Sequence, residues 1–248
     1  MERLFRREPR DWKNTVALGL LAMVVMMMIW MTACSSGSQG AAKTNKAVTP
    51  RTASSASTAQ GSVPTSLSNA GEYGENIYDY AKANDWKNAG GKLAALKDAV
   101  KQVRTDVKSQ GSAVEQLYSH VAALDRAVTA KDRQATMREA NQVTLDVANL
   151  TVAYKLSVPV EVTKLDYYGR ELEVWAQAQD VNKLQATGRE MRQTWDSLRP
   201  TITAKSATET KKFDALVAQV ESAKTPADYA HAATPVLNEV DSLEKLFH

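Results

Sequence analysis

Cysteine is nearly missing from this sequence: Cys34 is the single one in 248 residues. An internal disulfide, a thiolate metal cluster and a two-cysteine haem attachment are therefore all excluded. Histidine is scarce too. His120, His231 and His248 are the three, and none stands in an HExxH, HxxE or ExxH spacing that would set two ligands on one helical face. His120 and His231 are expected to be half-buried polar residues of helices. No Gly-rich phosphate loop, GxSxG elbow or paired-carboxylate layout occurs, so no catalytic residue, no metal site and no cofactor is expected. Glycine (11) and proline (7) are few, and strand-like alternation is nowhere sustained. Long stretches are thus free to be helical.

An excess of one charge is also lacking. The first 33 residues hold five basic and three acidic side chains, leaving 26 basic against 25 acidic in the rest of the chain. A near-neutral domain has no basic footprint for nucleic acid, so a nucleic-acid partner is not expected.

What is present begins at the N-terminus. A charged segment from Met1 to Asn14 precedes the apolar run Val16 to Met31, VALGLLAMVVMMMIWM, which ends in small residues and Cys34. This is the layout of an export signal. The stretch Met31-Thr32-Ala33-Cys34-Ser35 resembles the lipobox of bacterial lipoproteins. That resemblance implies cleavage after Ala33, lipidation of Cys34 and tethering at the cell or outer membrane, outside the cytoplasm. The apolar run taken alone also suits an uncleaved membrane helix. On either reading the positive-inside rule places the rest of the chain outside the cytoplasm.

Residues 34–69 are rich in Ser, Thr, Ala, Gly and Gln and hold almost no bulky apolar side chain. They read as a flexible tether with a reach on the order of 30 to 35 Å.

The remainder reads as one unit written twice, about 95 residues apart. Tyr73-Gly74 falls on Tyr168-Gly169, Ala81 on Ala176, Asp85 on Asp180 and Arg104 on Arg199. Helix-start signals recur with it: Ser112-x-x-Glu115 and Ser206-x-x-Glu209 are candidate capping boxes, while Asp85, Asp132, Asp180 and Thr225-Pro226 are candidate N-caps. Apolar stripes at steps of three and four fill the segments between, as in Leu93, Leu96, Val100, Val103, Val107 and in Leu184, Met191, Trp195, Leu198. The expected helices cover 73–83, 85–108, 112–130 and 132–155, then 166–178, 180–199, 206–223 and 226–247. Ser157-Val158-Pro159-Val160 is too β-branched and proline-broken to continue a helix.

The fold class expected is all-α, an internally duplicated antiparallel helical bundle with units at 70–157 and 163–248 of about four helices each. Two consecutive bundles and one elongated bundle both satisfy the pattern.

Trp86, Trp175 and Trp195 are expected to pack in the core. Gly74 and Gly169 are expected to let their helices approach a neighbour, with Tyr73 and Tyr168 closing the bundle end. Should a pocket form there, Tyr168, Arg170, Glu171 and Trp175 are its candidate wall, with Arg170 receiving an anionic group. The function expected is non-enzymatic: a membrane-anchored extracytoplasmic module that binds an envelope protein, a polymer or a small ligand, or serves structurally. In outline such a protein also resembles the imelysin-like lipoproteins associated with iron uptake. That likeness is architectural, because the family's histidine and glutamate metal motif has no match here.

Overall fold

A computed structural model of the chain describes residues 61–107 and 110–248. The expected export signal, Cys34 and most of the expected tether lie outside the described residues. Those described form eight helices: α1 (Thr65–Lys82), α2 (Trp86–Asp106), α3 (Gly111–Ala130), α4 (Arg133–Thr151), α5 (Val160–Gln177), α6 (Val181–Lys205), α7 (Ala207–Ser222) and α8 (Pro226–Glu244). A 3-10 turn follows at Lys245–Phe247. The fold is all-α. No helix among the described residues is long and apolar enough to cross a membrane.

Three of the corners share one construction. Ala83-Asn84-Asp85, Ala130-Lys131-Asp132 and Ala178-Gln179-Asp180 each place the middle residue in the left-handed region, at φ 58°, 53° and 58°. The backbone N–H of the aspartate then reaches back five residues, to the carbonyls of Tyr80, Ala127 and Trp175. This closes the ending helix in a Schellman-type cap. The aspartate side chain opens the next helix by accepting from the N–H of Asn88, Ala135 and Lys183 respectively. Thr225 and Asp228 complete a reciprocal capping box ahead of Pro226. Ser206 serves twice, ending α6 and accepting from Glu209 N–H to begin α7.

Four boundaries differ from the expected ones. α1 begins at Thr65 and α5 at Val160, because Pro64 and Pro159, both extended with ψ 138°, each launch a helix that a proline could not have continued. Residues 65–69 are therefore helical, with Leu67 in the core. α4 ends at Thr151 rather than 155, just before the exposed Val152. α6 runs through Pro200 to Lys205, since Pro200 is exposed and Leu198 and Ile202 keep the buried stripe in phase across it. Ser112 is not a cap. It lies inside α3, which starts at Gly111, and Glu115 is held instead by the Arg104 guanidinium at 2.5 Å.

Helices α1 to α4 close a ring, each packed on the next and α4 back on α1; α5 to α8 do the same, and α4 packs on α5. Short connections make consecutive helices antiparallel. One core holds Leu67, Ile77, Leu96, Leu117, Leu124 and Leu150. The other is built around Trp195 and Phe213, whose rings lie 4.6 Å apart. Trp195 is fully buried, whereas Trp86 and Trp175 are half-buried, Trp175 lying against both cores. At roughly 1.5–3 kcal/mol for each large apolar side chain, these two cores dominate the stabilising side of the balance.

Gly74 is pressed on α4, where an added Cβ would sit 3.2 Å from Val143 Cγ1 and 3.3 Å from the Ala140 carbonyl. Gly169 is pressed on α8, with Leu237 Cδ2 at 2.7 Å from the same imagined atom. The close helix approach expected of both glycines is present.

Candidate functional site

Helix α5 touches α4, α6 and α8 along its length and meets α1 through side chains. Buried residues therefore point in every direction from it: Val162, Leu165, Tyr167, Leu172, Val174 and Ala176. Charged side chains on a helix so enclosed must find partners or lose their charge. Asp166, Arg170, Glu171 and Glu173 make up a polar seam where α5 meets α1 and α4.

On the α1 side Glu173, 9% exposed, accepts from Tyr78 OH at 2.8 Å and from Lys82 Nζ at 2.7 and 2.8 Å. Tyr78 is pushed well above the usual phenol range, by burial first and by the Glu173 carboxylate second. It therefore remains a neutral donor. Arg170 donates from Nε to Asp166 at 2.8 Å, places its guanidinium 4.9 Å from the centre of the Tyr78 ring, and lies 3.6 Å from Asp79. The Asp79 side chain is 68% exposed against 18% for Asp166, so solvent screens the first pair and the second is the stronger.

Burial works against the Arg170 charge, but Asp166, Glu75 and Asp79 outweigh it and hold its pKa above the ordinary value. Glu75 carries the opposite strain. Burial raises it to about 7, with Arg170 pulling down and Asp166, Glu244 and Asp79 pushing up.

On the α4 side Glu171, 6% exposed, accepts from Asn141 Nδ2 at 3.2 Å and from Trp175 Nε1. Burial raises its pKa, and those two donors oppose the rise. Asn141 also donates to the Tyr167 carbonyl at 3.1 Å, and Gln142 donates to Tyr167 OH at 2.7 Å. Further along α4, Asp146 meets His120 Nδ1 of α3 at 2.5 Å. Burial raises the Asp146 pKa and the His120 contact opposes it. His120 is half-buried as expected, while His231 is exposed. Among the described residues no group of three or more His, Cys, Asp or Glu side chains is placed to hold a metal ion.

The four candidate wall residues fall on two faces of α5, with Tyr168, Glu171 and Trp175 at i, i+3 and i+7 and Arg170 turned away from them. Glu171 and Trp175 meet through a hydrogen bond, Arg170 faces α1, and Tyr168 packs against the second core with its ring edge-on to Tyr167 at 5.2 Å. Arg170, expected to receive an anionic ligand, gives its Nε to Asp166, while its buried Nη1 stands 3.6 Å from Asp79 with no hydrogen bond.

Tyr78, Lys82, Asn141 and Glu173 belong to the seam and escaped sequence reasoning. No sequence signal marked Glu173: α5 also carries Glu161, Lys164, Asp166, Arg170 and Glu171, and only the packing of α5 against its neighbours buries it.

Comparison of the chain with protein-family models, with curated proteins and with solved structures gives no match.

Proposed function

We propose that this chain is a membrane-tethered lipoprotein of the bacterial envelope whose helical part acts by binding or by structure rather than by catalysis. The observation that carries this reading is how the seam is spent. Its charged and polar groups pair with one another, Glu173 with Tyr78 and Lys82 and Glu171 with Asn141 across helix contacts, Arg170 with Asp166 and Glu171 with Trp175 within α5, while Arg170 Nη1 and Asn141 Oδ1 keep no hydrogen bond. Groups paired in this way join helices and are withheld from substrate chemistry.

Duplication of a four-helix unit is part of the proposal. It is supported by the equal length of α1 and α5, by their Pro64 and Pro159 starts, by the Asp85 and Asp180 caps, and by Gly74 and Gly169 each pressed on the last helix of its ring.

The tether rests on the lipobox-like Met31-Thr32-Ala33-Cys34. It is tested by metabolic labelling with a palmitate analogue and membrane fractionation of the full chain and of Cys34→Ala. The full chain is expected to carry label and to sediment with membranes, and the variant to take up no label. A full chain that takes up no label, while both forms stay in the membrane, would overturn lipidation in favour of an uncleaved helix.

A further inference from the structure

The two rings meet along two lines that differ in kind. Helices α4 and α5 pack along their length and are joined by the non-helical residues 152–159. The line between α1 and α5 carries ionisable pairs: Glu173 with Tyr78 and Lys82, and Arg170 with Asp79 at 3.6 Å. Toward α4, by contrast, α1 sets Gly71 against Val147 and Gly74 against Val143.

Carboxylates crowd the second line from both sides. The first ring contributes Glu75 and Asp79, the second Asp166, Asp241 and Glu244, and a single guanidinium, Arg170, stands among them. Arg170 is bound to Asp166 at 2.8 Å within α5, and its buried Nη1 makes no hydrogen bond. His248 lies 3.7 Å from Glu244 and adds a charge only when protonated. The groups acting on Glu75 are Arg170 and Asp166 of α5, Glu244 of α8 and Asp79 of its own helix. An ionised Glu75 therefore faces like charges of the other ring, and a protonated one relieves them.

We propose that this face is a pH-set latch: with Glu75 protonated the two rings stay shut, and with Glu75 ionised they hinge apart about the α4–α5 contact. Val174 of α5, buried in the first core, and the buried Tyr78 ring favour the closed form in acid. Burial lifts Glu75 to about 7, and exposure on opening returns it toward 4.5. Between those values each pH unit favours the open form by up to about tenfold. The latch is independent of the lipid tether.

The test places nitroxide labels at Ala94→Cys on α2 and Ala218→Cys on α7, both exposed and on helices away from the junction. The full chain also carries Cys34→Ser, so that the introduced thiols are the only two. Distances are read by double electron–electron resonance in a neutral detergent at pH 5.5 and 8.5. A longer separation is expected to gain at least about fivefold in population at pH 8.5. Glu75→Gln is expected to hold the short separation at both pH values, and Glu244→Gln, a change at an exposed position, to reduce the gain. His248 is common to all these proteins. The same distances at both pH values, or a gain undiminished by Glu75→Gln, would overturn the proposal. So would a loss of helical circular dichroism over the same range, which would mean unfolding rather than hinging.

Discussion

Replacing Glu75 by glutamine should make the protein more stable above neutral pH and leave it nearly unchanged in mild acid. Glu75 stands at the seam facing Arg170 and Asp166 of α5, Glu244 of α8 and Asp79 of its own helix, and burial lifts its pKa from 4.5 to about 7. A group whose pKa is higher folded than unfolded binds more protons in the folded state between the two values, so stability falls as pH rises. Its contribution is complete below about 4.5 and gone above about 7. At roughly 1.4 kcal/mol per unit of pKa the full effect is about 3 kcal/mol, and solvent reaching the half-buried side chain reduces it to on the order of 1–3 kcal/mol.

Glutamine mimics the protonated form. The measurement is urea unfolding of the full chain and of Glu75→Gln, followed by circular dichroism at pH values from 5 to 8. The two curves should lie within a few tenths to about 1 kcal/mol of each other near pH 5 and separate to roughly 1–3 kcal/mol at pH 8, or several degrees in Tm. Glu171 and Asp146, also raised by burial, are common to both proteins and cancel in the difference, whereas Asp166 acts on Glu75 and its response is part of the measured effect. Parallel curves at all pH values, or a variant less stable at pH 8, would refute the reasoning.

The left-handed corner at Lys131, φ 53°, predicts that Lys131→Gly raises stability by roughly 0.5–1 kcal/mol, read as Tm, because glycine pays no steric cost there. Tyr78→Phe should cost about 1–3 kcal/mol by leaving Glu173 short of a donor. The same change made in a Glu173→Gln background should cost less, and a double-mutant cycle with no coupling would deny the bond. Trp195→Ala should cost about 3–5 kcal/mol, since the ring is fully buried against Phe213. A loss under about 1 kcal/mol in urea unfolding would mean that this core collapses around the gap.

The sequence by itself determined the class of structure and much of its punctuation. Leucines and valines at steps of three and four can bury a single face only as helices, which is why the stripes from Leu93 to Val107 and from Val114 to Val128 lie in the core as expected. Asp85, Asp132, Asp180 and Thr225 cap helices because capping is a local matter, settled by a side chain and an N–H three residues away. Local signals failed where a distant partner competed, as at Glu115, which Arg104 holds across the α2–α3 corner.

Tertiary structure alone decided the seam. A helical period fixes which residues share a face but says nothing of what stands opposite. Sequence could therefore offer Tyr168, Arg170, Glu171 and Trp175 as neighbours along α5 without showing that Arg170 turns to α1 and that Glu171 is taken up by Asn141 of α4 and by Trp175. The raised pKa of Glu75 and the pairing of Glu173 with Tyr78 and Lys82 both follow from what packs against a position. Burial and electrostatic partners belong to that arrangement and to no residue by itself.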